Sequence, residues 1–229
     1  MSRRLLCLLV LGLFALPASA QAAPRQVLLV GGTFAYADYM DGVKAYLEDR
    51  GFAVSTMQLS GVLPGAAAIP TSARAIGARV DAIRTATGAA TVDLAGHSQG
   101  ALAVRDYIKD RGGMGKVDVA ISVGGPQYGD ATAYACLIFA GCWDMTYGSS
   151  FLTALNDGDD TPGDLGWYHL YSTSAVYEKR PLEGAVNVAI QDLCPGRNVQ
   201  HVDEWKDGAM REMVLAALER REITSSCPV

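Results

Sequence analysis

Apolar residues along the chain fall into short runs that alternate with amphipathic stretches. The runs are rich in valine, leucine and isoleucine, and several of them end at a glycine, as buried strands do. They cover residues 25–32, 53–59, 90–96, 117–125, 167–172 and 186–192. Strands that alternate with helices predict an α/β protein with a mostly parallel sheet and helices on both of its faces.

The stretches between the runs carry the helical spacing, in which apolar residues recur every three or four positions. A helix is predicted over 99–111. Three further helices are predicted, and the apolar residues that share one face of each helix are Tyr39, Val43, Tyr46 and Leu47 in the first; Ile76, Val80 and Ile83 in the second; and Met210, Val214, Ala217 and Leu218 in the last. Gly51 and Gly88 follow the first two helices, where glycine commonly ends a helix. From 126 to 164 the pattern gives way to Gly, Tyr, Asp and Ser, which predicts a long irregular segment of the kind that borders a site.

The N-terminal residues have the pattern of a secretory signal peptide. Arg3 and Arg4 precede the apolar run 5–16, and small residues follow it as a cleavage pattern. We therefore expect residues 1–22 to be removed and residues 23–229 to form a single domain, secreted to the periplasm or the cell exterior. The apolar run is too short to span a bilayer comfortably, and no integral membrane segment is predicted in the mature form.

The charge balance of the chain is acidic. It has 19 Lys and Arg against 24 Asp and Glu, a formal net charge of −5, and loss of two arginines with the signal peptide brings this charge to −7. Such an excess of negative charge is unfavourable for binding nucleic acid, so we expect no nucleic-acid partner.

Four cysteines lie outside the predicted signal peptide. They are Cys136, Cys142, Cys194 and Cys227. An even number in an exported chain predicts two disulfides. Three pairings are open, and local closure favours Cys136 with Cys142 and Cys194 with Cys227, the second pair across the last helix.

Residues 96–100 read Gly-His-Ser-Gln-Gly and lie between a predicted strand and a predicted helix. In this pattern the serine occupies a strained turn, because the glycines leave room for a tight backbone and the hydroxyl projects above the edge of the sheet. The five-residue pattern alone also occurs by chance, whereas its strand-and-helix context favours a nucleophile. Ser98 is therefore the predicted nucleophile.

A serine needs a base to act as a nucleophile, and the base is usually a histidine. Of the three histidines, His97 is expected to point away from the serine, and His169 lies within a strand pattern, as packed or surface histidines do. His201 follows the last predicted strand, in a loop before the last helix, and is the predicted base.

Backbone amides are the candidates for holding the oxyanion that forms when a serine attacks a carbonyl. One is the N–H of Gln99, the residue after the nucleophile. The other is the N–H of Thr33, in the loop after the first strand, and the Thr33 hydroxyl would be a further donor.

Five segments of the chain carry a resemblance to a known family. They are VLLVGGTFA (27–35), LAGHSQGAL (94–102), FLTALNDGDDTPGD (151–164), LYSTS (170–174) and GAVNVAIQDLCPGRNVQHV (184–202). Together they resemble the secreted class 2 lipases and esterases of bacteria, small α/β-hydrolases related to the triacylglycerol lipases. The resemblance implies an α/β-hydrolase fold with little or no lid and an ester hydrolase that needs no cofactor. It makes Ser98 the nucleophile, His201 the base, and Thr33 with Gln99 the oxyanion hole.

Two positions depart from the family pattern. Gly31 and Gly32 stand where the family has His-Gly ahead of the oxyanion residue, so a side chain that steadies this loop is missing. After LYSTS the family places the aspartate of the catalytic triad, and this chain has Ala175. A triad acid fixes the tautomer of the histidine, and its loss can cost about four decades of turnover.

Glu178 is the tentative replacement for that acid, because glutamate serves as the triad acid in some α/β-hydrolases. The alternative is a solvated loop glutamate paired with Lys179 or Arg180. Asp164 and Asp192 are weaker candidates, since they lie outside the loop that follows LYSTS.

The sequence thus predicts a secreted serine hydrolase that acts on a small-molecule or lipid ester. Lipase, short-chain esterase, polyester depolymerase and thioesterase activities stay open, as does the oligomeric state. The alternative is a catalytically impaired relative that acts as a secreted binding protein, which the Ala175 substitution favours. The acidic loop 156–160 lacks the spacing of a helix-loop-helix calcium site, so we expect a solvated turn there and no metal.

Overall fold

The computed structural model describes residues 23–174 and 180–228. Within these ranges six strands form one parallel sheet in the order β2-β1-β3-β4-β5-β6. The strands are β1 (Gln26–Val30), β2 (Ala53–Met57), β3 (Asp93–His97), β4 (Val119–Val123), β5 (Gly166–Tyr171) and β6 (Val186–Ala189). Each strand overlaps a run predicted from the sequence, so the predicted α/β class with a parallel sheet is confirmed.

Helices connect the strands and lie on both faces of the sheet. In the described ranges they are α1 (Asp41–Glu48), α2 (Ile69–Thr87), α3 (Gln99–Asp110), α4 (Ala140–Asp144), α5 (Ser150–Leu155), α6 (Ile190–Leu193) and α7 (Gly208–Leu218). Short 3-10 turns lie at Ala37–Met40, Ala131–Cys136 and His201–Asp203. The four helices predicted from apolar spacing correspond to α1, α2, α3 and α7. No helix in the described part of the chain is long and apolar enough to cross a membrane.

Two local predictions were wrong. The segment 126–164 is not irregular throughout, because it contains α4, α5 and a 3-10 turn, each too short to show a repeating apolar face. The strand predicted over 186–192 ends at Ala189, where the Asp192 carboxylate accepts the Ala189 N–H at 2.9 Å and starts α6.

The core consists of two layers, one on each face of the sheet. Alternate residues of a strand point to opposite faces, so Val27 and Leu29 of β1 join the layer under α1 and α7. Leu28 and Val30 join the layer under α2 and α3. Because both faces are covered, the strands read as continuous apolar runs rather than as alternating ones.

The carboxyl ends of the central strands lie side by side at one edge of the sheet. The chain reaches β2 on one side of β1 and β3 on the other, so the strand order reverses between β1 and β3. At this point Val30 pairs with Gly96, and the last residue of β3, His97, pairs with Val123 of β4. The loops that follow these strands therefore converge, which is where open parallel sheets bind ligands.

The structure pairs the cysteines as local closure favours. Cys136 bonds Cys142 across a sequence separation of 6, and Cys194 bonds Cys227 across a separation of 33, each with Cα atoms 5.7 Å apart. The first bond closes the 3-10 turn at Ala131–Cys136 onto α4. The second holds the C-terminal tail, beyond α7, against the end of α6.

Removal of the longer disulfide tests how much it stabilises the fold. Closing a loop of this length restricts the unfolded chain, so the double variant Cys194→Ala with Cys227→Ala should lose about 3–4 kcal/mol of unfolding free energy. For a domain of this size that loss lowers Tm by roughly 10 °C. The matched double variant at Cys136 and Cys142 closes a shorter loop and should lose only about 2 kcal/mol. Equal Tm values for the Cys194/Cys227 double variant and the native chain, measured by calorimetry, would contradict this account.

Candidate active site

Ser98 occupies a strained turn between a strand and a helix. β3 ends at His97 and α3 begins at Gln99, with Ser98 between them at φ 55° and ψ −126°. A positive φ is unfavourable for a residue with a side chain and persists only where the surrounding structure enforces it. The turn is tight enough that a Cβ on Gly96 would lie 2.6 Å from the carbonyl carbon of Gly100. The context predicted for the nucleophile motif is therefore present.

Ser98 opens into a cavity of about 510 Å³ at the carboxyl edge of the sheet. Thr33 and His201 line the same cavity, so the structure brings together three of the residues selected from the sequence. Its other walls are Gly32, Phe34, Ala35, Tyr39, His97, Asp130, Thr132, Ala133, Ala135, Cys136, Met145 and Val202. The cavity is largely apolar.

The Nδ1 atom of His201 faces a buried carboxylate. His201 begins the short 3-10 turn at the end of its loop, and Glu204 follows one turn later, so both side chains lie on the same side of the turn. His201 Nδ1 is 3.0 Å from Glu204 Oε2, and the Glu204 side chain is fully buried. Glu204 was missed in the sequence. The only local signal is its spacing of three residues from His201 in the segment HVDEW.

The Glu204 carboxylate has hydrogen-bond donors at both of its oxygens. Oε1 accepts the Ser172 N–H at 3.1 Å, and Oε2 lies 3.2 Å from Nε2 of His97 as well as near His201. Burial raises the pKa of Glu204, but the hydrogen bonds from His201 and His97 outweigh burial and bring the pKa below its usual value. The carboxylate is therefore ionised inside the protein.

His97 belongs to the site, contrary to the sequence-based expectation. It was expected to point away from Ser98, yet both residues line one cavity. The His97 ring stacks on the His201 ring with centroids 4.5 Å apart, and its Nε2 is also 3.1 Å from the His201 carbonyl oxygen. Burial lowers the pKa of His97, so its ring is neutral at neutral pH. The position of His97 in a strand gave no indication of these contacts, because its partners His201 and Glu204 are more than a hundred residues away along the chain.

His169 is a packed histidine, which is one of the two roles predicted for it. It is fully buried in β5, with Nδ1 2.9 Å from the Ser122 hydroxyl oxygen. Burial lowers the pKa of His169 to about 4.

The side chain of Gln99 holds the loop that carries Thr33. The Thr33 hydroxyl donates to Gln99 Oε1 at 3.0 Å, and Gln99 Nε2 donates to the Gly65 carbonyl at 3.1 Å. A further bond from the Phe34 N–H to the Pro64 carbonyl, at 2.7 Å, fixes the next residue. These contacts steady the loop at the position where the family that the sequence resembles has a histidine in place of Gly31. Since the Thr33 hydroxyl donates to Gln99, the backbone N–H of Thr33 is the group of this residue left for an oxyanion.

Of the acids selected from the sequence, those in the described part of the chain do not contact His201. Ala175 and Glu178 lie outside the described residues. Asp164 is exposed, and Asp192 accepts the Ala189 N–H at the start of α6.

The acidic loop 156–160 is only partly the solvated turn predicted for it, because residues 157–159 are exposed whereas its last residue is buried. Asp160 is buried and forms an ion pair with Arg105, which is also buried. The Tyr128 hydroxyl donates to the second Asp160 oxygen at 2.8 Å, and Arg105 Nη1 donates to Asn156 Oδ1 at 2.7 Å. The segment is thus bound to α3, the helix that follows Ser98.

In the described ranges one group of side chains has the spacing to hold a metal ion. The group consists of His97, His201 and Glu204, whose ligand atoms lie within 4.8 Å of one another. Both imidazole nitrogens already lie at hydrogen-bond distance from the same carboxylate oxygen. A proton on each nitrogen therefore accounts for the arrangement without an ion.

Comparisons with known proteins agree with this description of the fold. No protein-family model and no curated protein matches the chain by sequence. Among solved structures, lipase B of Aspergillus fumigatus is similar with a TM-score of 0.75 and 16% identity over 91% of this chain and 56% of the lipase. The chain thus spans somewhat more than half the length of that lipase.

Two further structures share the same architecture. The mature form of the lipase BlEst2 from Bacillus licheniformis has a TM-score of 0.56 and 15% identity over 68% of this chain and 69% of the lipase. MGS-MChE2, an α/β hydrolase from the metagenome of lagoon sediments, has a TM-score of 0.57 and 17% identity over 86% and 90% of the two chains. Identities this low carry information on the fold alone. With its parallel sheet and the turn at Ser98, the chain has the α/β-hydrolase fold.

Proposed function

We propose that the protein is a serine hydrolase that cleaves carboxylic esters through an acyl-enzyme intermediate. The observation that carries the proposal is the strained turn at Ser98, which opens into the same cavity as His201. Backbone strain of this kind persists where it serves a function, here by presenting a hydroxyl above the sheet edge. The similar structures named as lipases support the proposal at the level of the fold.

In the first half of the reaction, Ser98 Oγ attacks the ester carbonyl carbon while its proton passes to Nε2 of His201. Nε2 is assigned as the accepting nitrogen because Nδ1 faces Glu204. The bond from the carbonyl carbon to the alcohol oxygen then breaks, and His201 returns the proton to that oxygen. The acyl group remains on Ser98.

In the second half, a water molecule replaces the alcohol. His201 takes a proton from the water, the hydroxide oxygen bonds to the acyl carbon, and the bond to Ser98 Oγ breaks as the proton returns to the serine. The negative oxygen that forms in each half is held by backbone N–H groups of Gln99 and Thr33. Gln99 is the first residue of α3, so its N–H has no partner within the helix and the helix dipole favours a negative charge there.

The walls of the cavity suit an apolar acyl group. Phe34, Ala133, Met145 and Val202 line the cavity beside Ser98. Burial of an acyl chain against such side chains stabilises the complex by about 0.8 kcal/mol for each CH₂ group. We therefore propose a small-molecule or lipid ester as the substrate. No step of this mechanism uses a cofactor.

Substitution of Ser98 tests its role as the nucleophile. Ser98→Ala removes the attacking oxygen and should lower kcat for p-nitrophenyl esters by at least about 10⁴-fold with little change in Tm. A series of acyl chain lengths, assayed with purified protein, measures both the activity and the preferred substrate. A native chain with no Ser98-dependent hydrolysis of any ester would overturn the proposal and favour a secreted binding protein.

Substitution of Thr33 tests whether its hydroxyl contacts the oxyanion directly. Thr33→Val keeps the shape of the side chain and removes its bond to Gln99, worth about 1 kcal/mol, and a longer contact with the Met145 sulfur at 4.0 Å, so kcat should fall less than about 10-fold. Loss of a direct oxyanion donor costs about 100-fold to 1,000-fold in kcat. A loss in that larger range, at unchanged KM and Tm, would mean that the hydroxyl itself faces the oxyanion.

We further propose that the protein is exported. The two disulfides fit an oxidising compartment, and residues 1–22 carry the signal-peptide pattern. Expression of the full chain in a bacterial host, followed by N-terminal sequencing of the exported protein, should give a mature N terminus close to residue 23. Retention of the intact chain in the cytoplasm would contradict export.

A further inference from the structure

The family pattern leaves the base of this site without its usual acid, because Ala175 stands at the position of the aspartate. We propose that Glu204, from the loop of His201 itself, is the carboxylate that positions His201 for proton transfer. The inference rests on the proposed serine-hydrolase function. Glu204 follows the histidine along the chain, whereas in the order typical of the family the acid precedes the histidine.

The distance from Glu204 to His201 suits a triad acid. Its Oε2 lies 3.0 Å from Nδ1 of His201, the nitrogen that a triad carboxylate engages so that the other nitrogen faces the serine. The His201 side chain is 8% exposed and the Glu204 side chain 0%. Water therefore does not compete for this contact.

The carboxylate reaches the end of the sheet where the usual aspartate loop begins. Its Oε1 accepts the N–H of Ser172, the first residue after β5 and three positions before Ala175. Gly124, the first residue after β4, leaves the space in which the carboxylate lies, because a Cβ there would collide with Oε2 and the carboxylate carbon of Glu204. Glu204 thus approaches the end of β5 from the loop of His201. In the family that the sequence resembles, the aspartate follows the end of the corresponding strand.

The second histidine keeps the carboxylate in place without competing for its role. His97 is neutral, so it can donate its Nε2 proton to Glu204 while adding no positive charge beside His201. Two imidazolium rings with centroids 4.5 Å apart would repel each other strongly in this buried setting. The positive charge that develops during the reaction therefore forms on His201, opposite the ionised Glu204.

Glu204 would make the same contacts if it only stabilised the fold. The test therefore needs a measured quantity that does not change when packing alone is altered. Glu204→Gln keeps the size of the side chain and removes its negative charge. A neutral amide stabilises the imidazolium form of His201 less than a carboxylate does, so the acidic limb of the kcat/KM profile should move to lower pH. Glu204→Asp keeps the charge and should recover part of the activity. The control variant is Asp203→Asn, which removes a charge from the adjacent, half-exposed side chain.

The experiment measures three quantities for each variant: ester hydrolysis against pH, the rate of labelling by a fluorophosphonate, and Tm. In the labelling reaction Ser98 Oγ bonds to phosphorus and fluoride leaves, so the rate reports activation of the serine even where no good ester is known. Glu204→Gln should lower kcat by about 10² to 10⁴-fold, slow labelling and shift the acidic limb, while Asp203→Asn should leave all three close to those of the native chain.

The outcomes separate this inference from the proposed function. Native activity that depends on Ser98 and His201, with Glu204→Gln retaining full kcat and an unshifted profile, would overturn the role of Glu204 alone. A large loss in Glu178→Gln with none in Glu204→Gln would overturn it in favour of Glu178. A native chain without Ser98-dependent hydrolysis or labelling would overturn the proposed function and the inference together.

Discussion

The arrangement of the site depends on one buried negative charge. An ionised carboxylate without compensation inside a protein costs several kcal/mol, so Glu204 can exist there only with donors at both of its oxygens. Those donors come from three parts of the chain: His97 at the end of β3, Ser172 after β5, and His201 in the C-terminal loop. The buried carboxylate therefore links the loop before α7 to the ends of β3 and β5.

The second constraint is the tight turn at Ser98, which places the serine beside the loop of Thr33. α3 packs so close to the sheet that glycine is needed at Gly96, and the first residue of the helix, Gln99, extends its side chain under the Thr33 loop. In the proposed mechanism, the first residue of α3 thus supplies one amide for the oxyanion, and its side chain supports the loop that carries the other amide. The strain at Ser98 is offset by this dense packing around it.

The fold was predictable because its signals are local and repeated. Apolar runs that alternate with amphipathic stretches define the parallel sheet, and the glycine pattern around Ser98 identifies the turn. The pairing of Cys136 with Cys142 follows from their short separation along the chain, which leaves Cys194 to pair with Cys227 across the last helix. By contrast, the contact of His97 with Glu204 spans 107 residues, and no local pattern reports it.

Glu204 was overlooked for a related reason. It follows Asp203 in a polar loop, where two adjacent acids look solvated, yet only Asp203 is half-exposed while Glu204 is fully buried. Asp160 was likewise expected to be solvated, because its burial depends on an ion pair with Arg105, which is distant along the chain. Short helices such as α4 and α5 contain too few residues for a period to emerge.

The most direct test of the account is a crystal structure of the protein after reaction with a phosphonate ester. In the proposed mechanism, Ser98 Oγ should form a covalent bond to phosphorus. A phosphonyl oxygen should lie at the N–H groups of Gln99 and Thr33, and His201 Nδ1 should contact the Glu204 carboxylate. An adduct on another residue, or His201 turned to a different acid, would contradict the account.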